Sequence, residues 1–104
     1  MINMYGRKYF GLFKGTPYGS FDETIDDYKR QNSVIDRNKV IDHFSHLNFA
    51  ATSAPTYDIN SGEFFPAGLY DDGPFSFTTD FVRYYNQGIV DIPEEYEDFL
   101  LGTL

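Results

Sequence analysis

Turn-forming clusters cut this chain into short pieces. They are Gly15-Thr16-Pro17-Tyr18-Gly19, Asn60-Ser61-Gly62, Asp71-Asp72-Gly73-Pro74, Gly88 and Asp91-Ile92-Pro93. Glycine supplies positive φ and proline fixes φ while removing a donor, so helices and strands are expected to stop at these points. No apolar run exceeds four residues, far below the ~20 that a membrane-spanning helix needs. The chain has no cysteine, so no disulfide or zinc-thiolate framework can join the pieces. They must be held by one packed core, and 104 residues suit a single domain over 1–104. The first eight residues carry Arg7 and Lys8 without a following apolar stretch, so a secretory signal is not expected. The expectation is a small, soluble, cytoplasmic domain.

Between the punctuation, the pattern predicts an α+β fold: about four short helices packed with a small antiparallel sheet or β-hairpin. Residues 7–14 read as a short strand or extended arm. Ser20 and Glu23 form a capping box for a first helix with Phe21, Ile25 and Tyr28 on its apolar face. Its acids (Asp22, Glu23, Asp26, Asp27) come early and Lys29 and Arg30 late, matching the helix dipole. A second helix starts at Asp36, with Ile35 and Val40 as a hydrophobic staple. It buries Val40, Ile41, Phe44 and Leu47, and Asn48 is suited to end it in a left-handed conformation.

The middle reads as β and turns. Thr56-Tyr57-Asp58-Ile59 alternates, Asn60-Ser61-Gly62 turns, and Glu63-Phe64-Phe65 returns as the second arm of a hairpin that Pro66 is expected to end. Thr78 caps a third helix that buries Phe77, Phe81, Tyr84 and Tyr85 and stops at Gly88. Pro93 opens a fourth, with Tyr96, Phe99 and Leu100 inward and Gly102 at its end.

Motifs for chemistry are weak. His43 and His46, three apart on one helix, are neighbours that could share a metal with Asp42 or another acid. No third ligand sits at a recognisable spacing, so ordinary surface histidines are the preferred reading. Asp58-Ile59-Asn60-Ser61-Gly62-Glu63 puts glycine one position early for a calcium loop and has no closing bidentate acid. Asp71 and Asp72 are adjacent carboxylates beside Gly-Pro, which makes a turn more readily than a catalytic pair facing across a substrate. There is no phosphate-binding loop, dinucleotide fingerprint or nucleophile elbow. No cofactor and no enzymatic activity are expected.

Charge is more informative. Sixteen acids against eight bases give a net charge of −8, which argues against nucleic acid or an anionic membrane as partner. Residues 1–40 hold seven bases and five acids, whereas residues 41–104 hold eleven acids and only Arg83 as a base. The acids can serve simply to keep an aromatic-rich domain dissolved. They can also form a face for a cationic partner. Tyr57, Tyr70, Tyr84, Tyr85 and Tyr96 lie in the acidic part, and tyrosine, with an apolar body and a polar tip, serves core boundaries and interfaces alike.

Residues from about 39 to 101 carry a recognisable order. Val40, Ile41 and Phe44 share a helix, followed by Asp58-x-x-x-Gly62-Glu63. Then come Tyr70-Asp71-Asp72-Gly73-Pro74-Phe75-Ser76-Phe77, Asp80-Phe81-x-x-Tyr84-Tyr85 and Ile92-Pro93-Glu94-Glu95-Tyr96-x-x-Phe99. This order resembles a family of bacterial proteins of about one hundred residues, some similar to immunity proteins of contact-dependent growth inhibition and related polymorphic toxin systems. Phe77 stands where that pattern has Trp, and the first 35 residues have no counterpart in it. The resemblance implies an immunity protein that binds a cognate basic toxin, a nuclease among the candidates, and covers its active-site surface. The expected contact set is Asp58, Glu63, Tyr70, Asp71, Asp72, Glu94, Glu95, Glu97 and Asp98. The alternative is a small non-catalytic adaptor or regulatory protein-interaction domain.

Overall fold

The computed structural model describes residues 2–4, 6–11 and 23–104. The fold is α+β, with a five-stranded mixed sheet and three α-helices among these residues. The strands are β1 (Ile2–Met4), β2 (Arg7–Phe10), β3 (Phe49–Tyr57), β4 (Phe64–Asp72) and β5 (Phe75–Thr78). The helices are α1 (Arg37–Ser45), α2 (Thr79–Asn86) and α3 (Glu94–Leu101). Sheet order is β1-β2-β5-β4-β3.

The strands β3, β4 and β5 form an antiparallel meander. The first hairpin follows from alternation and turn chemistry, whereas β5 does not, and Phe77, read with the helix that Thr78 caps, lies on it. Tyr57 pairs with Phe64 across the first turn. There the Asp58 N–H donates to the Glu63 carbonyl at 2.9 Å, and the Gly62 N–H to the Asp58 carbonyl at 2.7 Å. The second turn is two residues long, since Asp72 pairs with Phe75. Gly73 at φ +55° followed by proline, with φ near −65°, gives the sign pattern of a II′ hairpin turn, whose twist matches that of its strands. Thr78 then leaves the sheet and caps α2, its hydroxyl accepting from the Phe81 N–H at 3.1 Å. Asp36 caps α1 through the Asn38 N–H at 2.9 Å.

Several expectations need correction. The sheet is not wholly antiparallel: β2 lies parallel to β5, with Lys8, Tyr9 and Phe10 opposite Phe75, Ser76 and Phe77. A parallel neighbour requires a long crossover, so no local pattern announces it. The first helix is, among described residues, one 3-10 turn over Ile25–Tyr28. Its proposed cap Ser20, with Phe21 and Asp22, lies outside the described residues, as does the turn at 15–19. Thr24 and Asp27 perform the capping instead, the Asp27 carboxylate accepting from the Thr24 N–H at 2.7 Å. The turn is not continued: the Tyr28 carbonyl accepts from the Asp91 N–H at 2.7 Å, and the Arg30 side chain bonds the Ile92 carbonyl (2.7 Å) and the Glu97 carboxylate.

Pro66 does not end its strand. Pro55 faces it across the β3–β4 ladder, neither having an N–H to give the other; the Pro66 carbonyl accepts instead from the Thr79 hydroxyl at 3.2 Å, and the register shifts between Ala51 and Pro55. Finally, α1 stops at Ser45 with His46 as its C-cap, before Asn48. Pro93 likewise stands at the N-cap of α3, one place before the first turn.

The core is mostly aromatic. Phe10, Phe77, Phe81 and Tyr96 are fully buried, joined by Tyr28, Phe44, Phe75, Tyr84 and Tyr85. Burying each such ring stabilises by about 1.5–3 kcal/mol relative to leaving it in water. Gly11, directly after β2, is fitted to this core. It has φ +71°, and a Cβ there would lie 2.5 Å from Phe81 Cβ. Gly11→Ala is therefore expected to combine left-handed strain with overpacking and cost about 2–4 kcal/mol. That corresponds to a melting temperature lowered by roughly 10–20 °C, readable by calorimetry. A shift of a degree or two would refute this account of the core.

Candidate functional site

The eight acids and one tyrosine singled out by the sequence separate into two groups at opposite ends of β4. Nine residues at ~3.3 Å each put those ends about 26 Å apart. Asp58 and Glu63 flank the turn that precedes β4. Tyr70, Asp71 and Asp72 finish the strand, next to α3 with Glu94, Glu95, Glu97 and Asp98.

Three of the acids are internal. Asp58 is fully buried. Its carboxylate accepts from Arg83 Nε at 2.6 Å, Gln87 Nε2 at 2.5 Å, and the N–H groups of Asn60 (2.7 Å) and Ser61 (3.2 Å). The Arg83 bond, then that from Gln87, outweigh desolvation and hold this carboxyl well below the usual range. Arg83 also reaches Glu63 at 3.1 Å and lies over the Phe65 ring at 4.6 Å. The one base after residue 40 is thus consumed in fixing the β3–β4 turn to α2.

Asp72 is the second. One oxygen is 2.8 Å from His43 Nε2 on α1 and accepts from the Tyr96 hydroxyl on α3 at 2.6 Å. Burial, the Asp72 bond and its charge push the Tyr96 phenol far above its ordinary range, so it stays a donor. Glu97 is the third. It accepts from the Ser33 hydroxyl (2.6 Å), the N–H groups of Val34 (2.7 Å) and Ile35 (3.1 Å), and Arg30. Burial opposes its ionisation, but the bonds from Ser33, Ile35, Arg30 and Val34 win and hold the carboxyl at about 2. These three carboxylates build the fold and are not open to a partner.

The others are at the surface. Asp71 is exposed and accepts from the Ser76 hydroxyl at 2.6 Å, with Arg7 at 3.4 Å. Glu95 pairs with Lys8, whose ammonium also sits 5.7 Å from the Phe75 ring. Such exposed pairs contribute ~0–1 kcal/mol and are readily exchanged for a partner's cations. Glu94 and Asp98 are exposed and make no ion pair among the described residues. Asp42 on α1 is a further exposed acid, with only His46 near it, at 4.0 Å. Tyr70 is half-buried, stacked between Phe49 (5.3 Å) and Phe77 (5.9 Å). Asp42, Asp71, Glu94, Glu95 and Asp98 thus stand on the three elements that Asp72 ties together. The Phe99 ring reinforces the junction by closing against Gly73.

The histidines do not converge. His43 turns inward to Asp72, while His46 is exposed and bonds the Asp42 carbonyl at 2.8 Å. Among the described residues no group of three His, Asp or Glu is arranged to hold a metal, and no helix is long and apolar enough to cross a membrane. Asp80, which sequence reasoning passed over, is a buried acid in the first turn of α2. One oxygen accepts from Thr56 Oγ1 at 2.9 Å, and the other has no partner. Burial raises its pKa. Its only sequence signal is an acid within a run of core residues.

No protein-family model matches the chain, and comparisons with curated proteins and with solved structures also return no match.

Two of the perturbed buried acids, Glu97 and Asp80, act on stability with opposite sign. Glu97 is depressed, so its stabilisation is present above its ordinary value near 4.5 and is lost as pH falls toward about 2. Glu97→Gln is expected to cost about 2 kcal/mol at pH 7 and to flatten this acid limb of a denaturation series. An unchanged limb would show that the carboxylate is not ionised in the fold. Asp80 is raised, so it lowers stability as pH rises from its ordinary 3.8 through its raised value. Asp80→Asn should remove that loss, and a variant less stable than the parent at pH 8 would contradict this.

Proposed function

We propose that this chain is a stoichiometric, non-catalytic binding protein that neutralises a basic protein partner, the cognate toxin of a bacterial polymorphic-toxin pair. The observation that carries the reading is the exposed acidic surface around the Asp72 junction. Asp42, Asp71, Glu94, Glu95 and Asp98 rest on helices and a strand locked to one another, so the charges are held in place before any partner arrives. Pre-organisation reduces the ordering cost of association, and the surplus of acids over Arg7 and Lys8 on this surface favours encounter with a cationic partner. A nuclease toxin suits this surface, because it must carry cations to hold phosphates and an acidic cover would exclude its substrate.

A second reading, an adaptor or regulatory domain with a partner other than a toxin, rests on the far end of β4. Tyr57, Ile59 and Phe64 are exposed there, the two rings 6.1 Å apart. Apolar side chains of this size, gathered at one turn, suit a less charged partner.

Co-expression with the toxin domain encoded beside the gene discriminates the two. A stable one-to-one complex that restores growth is expected. Glu94→Lys with Asp98→Lys should weaken it by about tenfold or more, mainly through a slower, less salt-sensitive association, without lowering the melting temperature. Failure to form the complex would defeat the proposal. An unchanged affinity in the double variant, with loss on Phe64→Ala, would move the interface to the hairpin and favour the adaptor.

A further inference from the structure

The bases of the first forty residues are not spread evenly. Lys29, Arg30 and Arg37 line one cleft of about 500 Å³, together with Tyr28, Tyr85 and Asp91. This volume lies within the range of small-molecule sites. The cleft shares no residue with the acidic surface around Asp72.

Arg37 is the central feature. Its Nη2 donates to the Tyr85 carbonyl at 2.6 Å and the Val90 carbonyl at 2.8 Å, and the guanidinium lies 3.9 Å above the Tyr85 ring. The side chain is thereby fixed flat against one wall. Among the described residues no carboxylate pairs with it, and Nε and Nη1 have no protein acceptor. These atoms are not among the buried orphans, so solvent reaches them. A guanidinium oriented by two carbonyls and a ring through Nη2, with the Nε and Nη1 donors left open, can give single charge-assisted hydrogen bonds to an oxyanion.

Lys29 stands beside it, mostly exposed and only loosely paired with Asp26 at 3.4 Å, and is free to swing over a bound anion. Arg30 differs: each of its three guanidinium nitrogens already donates, to Asn32, Ile92 and Glu97, which holds it in the wall. Asp91 is the one acid in the lining, and one of its oxygens accepts from the Ile92 N–H at 2.8 Å.

We propose that this cleft is a binding site for a small oxyanion, a carboxylate or phosphate borne by a compact molecule, held by Arg37 and covered by Lys29. An anion site in a chain of net charge −8 must work by short-range hydrogen bonds, since the long-range field opposes it.

The test is a titration of isotope-labelled full-length chain with inorganic phosphate in one arm and citrate in the other, against sodium chloride at matched ionic strength. Saturable amide shifts at residues 88–91 and at the Arg37 Nε–H are expected in at least one arm, and the arm that saturates at lower concentration identifies the anion chemistry. Lys29→Gln, which touches no core group, should weaken binding about threefold. Arg37→Gln should weaken it about tenfold or more, the equivalent of one charge-assisted hydrogen bond. Asp91→Asn keeps the acceptor for Ile92 and should tighten binding. If neither anion shifts these signals beyond the chloride control, or if Asp91→Asn weakens binding, the site is not an oxyanion site.

Discussion

The ring of Phe10 is the contact on which the rest of the fold depends. It is fully buried, with the rings of Phe77, Phe81 and Tyr96 about 5 Å away (4.9, 5.1 and 5.1 Å) and those of Phe75 and Tyr28 at 6.2 and 6.4 Å. One side chain from the short β2 strand therefore touches the centre of the sheet, two helices and the 3-10 turn. This is possible only because β2 enters beside β5 in parallel, which brings Phe10 level with Phe77. Aromatic rings suit the task, since edge and offset contacts let one large apolar body meet neighbours from several directions.

Around this apolar centre, buried carboxylates determine where the connecting segments lie. Asp58 gathers the β3–β4 turn to α2, Asp72 joins the sheet to α1 and α3, and Glu97 holds residues 33–35 and Arg30 against α3. Each does so by collecting donors from separate parts of the chain, so its burial is matched by bonds. The acidity of residues 41–104 therefore has two components. Some acids are internal ties, while Asp42, Asp71, Glu94, Glu95 and Asp98 stay in water on the elements those ties make rigid. The net charge alone does not separate them.

The elements legible in the sequence were those specified by neighbouring residues. The caps at Asp36 and Thr78, the turns at 60–62 and 73–74, and the inward Phe81, Tyr84 and Tyr85 of α2 and Tyr96 and Leu100 of α3 follow from local chemistry and are present, whereas Phe77, read with α2, belongs to β5. What the sequence hid was long-range. The parallel partner of Arg7–Phe10 lies more than sixty residues away, and Pro66 continues its strand opposite Pro55, a pairing that no local pattern announces. The same limit governed the site. Asp58, Asp72 and Glu97 look like surface acids until Arg83, His43, Tyr96 and Ser33 are brought to them by packing. Exposed acids such as Glu94 and Asp98 needed no such knowledge. The cleft around Arg37 was illegible for the same reason, since Lys29 and Val90 are neighbours only in space.

The parallel seam between β2 and β5 also fixes an order of events. The β3-β4-β5 meander joins neighbours in sequence and closes short loops, whereas the β2–β5 pairing must close a loop of more than sixty residues before any contact rewards it. During synthesis β2 emerges well before β5, with only β1 to pair with, and is among the last parts able to dock. Until residues 75–77 leave the ribosome, Phe10 has no core to enter. Between those two moments the nascent chain carries an aromatic side chain without its apolar neighbours, the kind of transient exposure that invites aggregation.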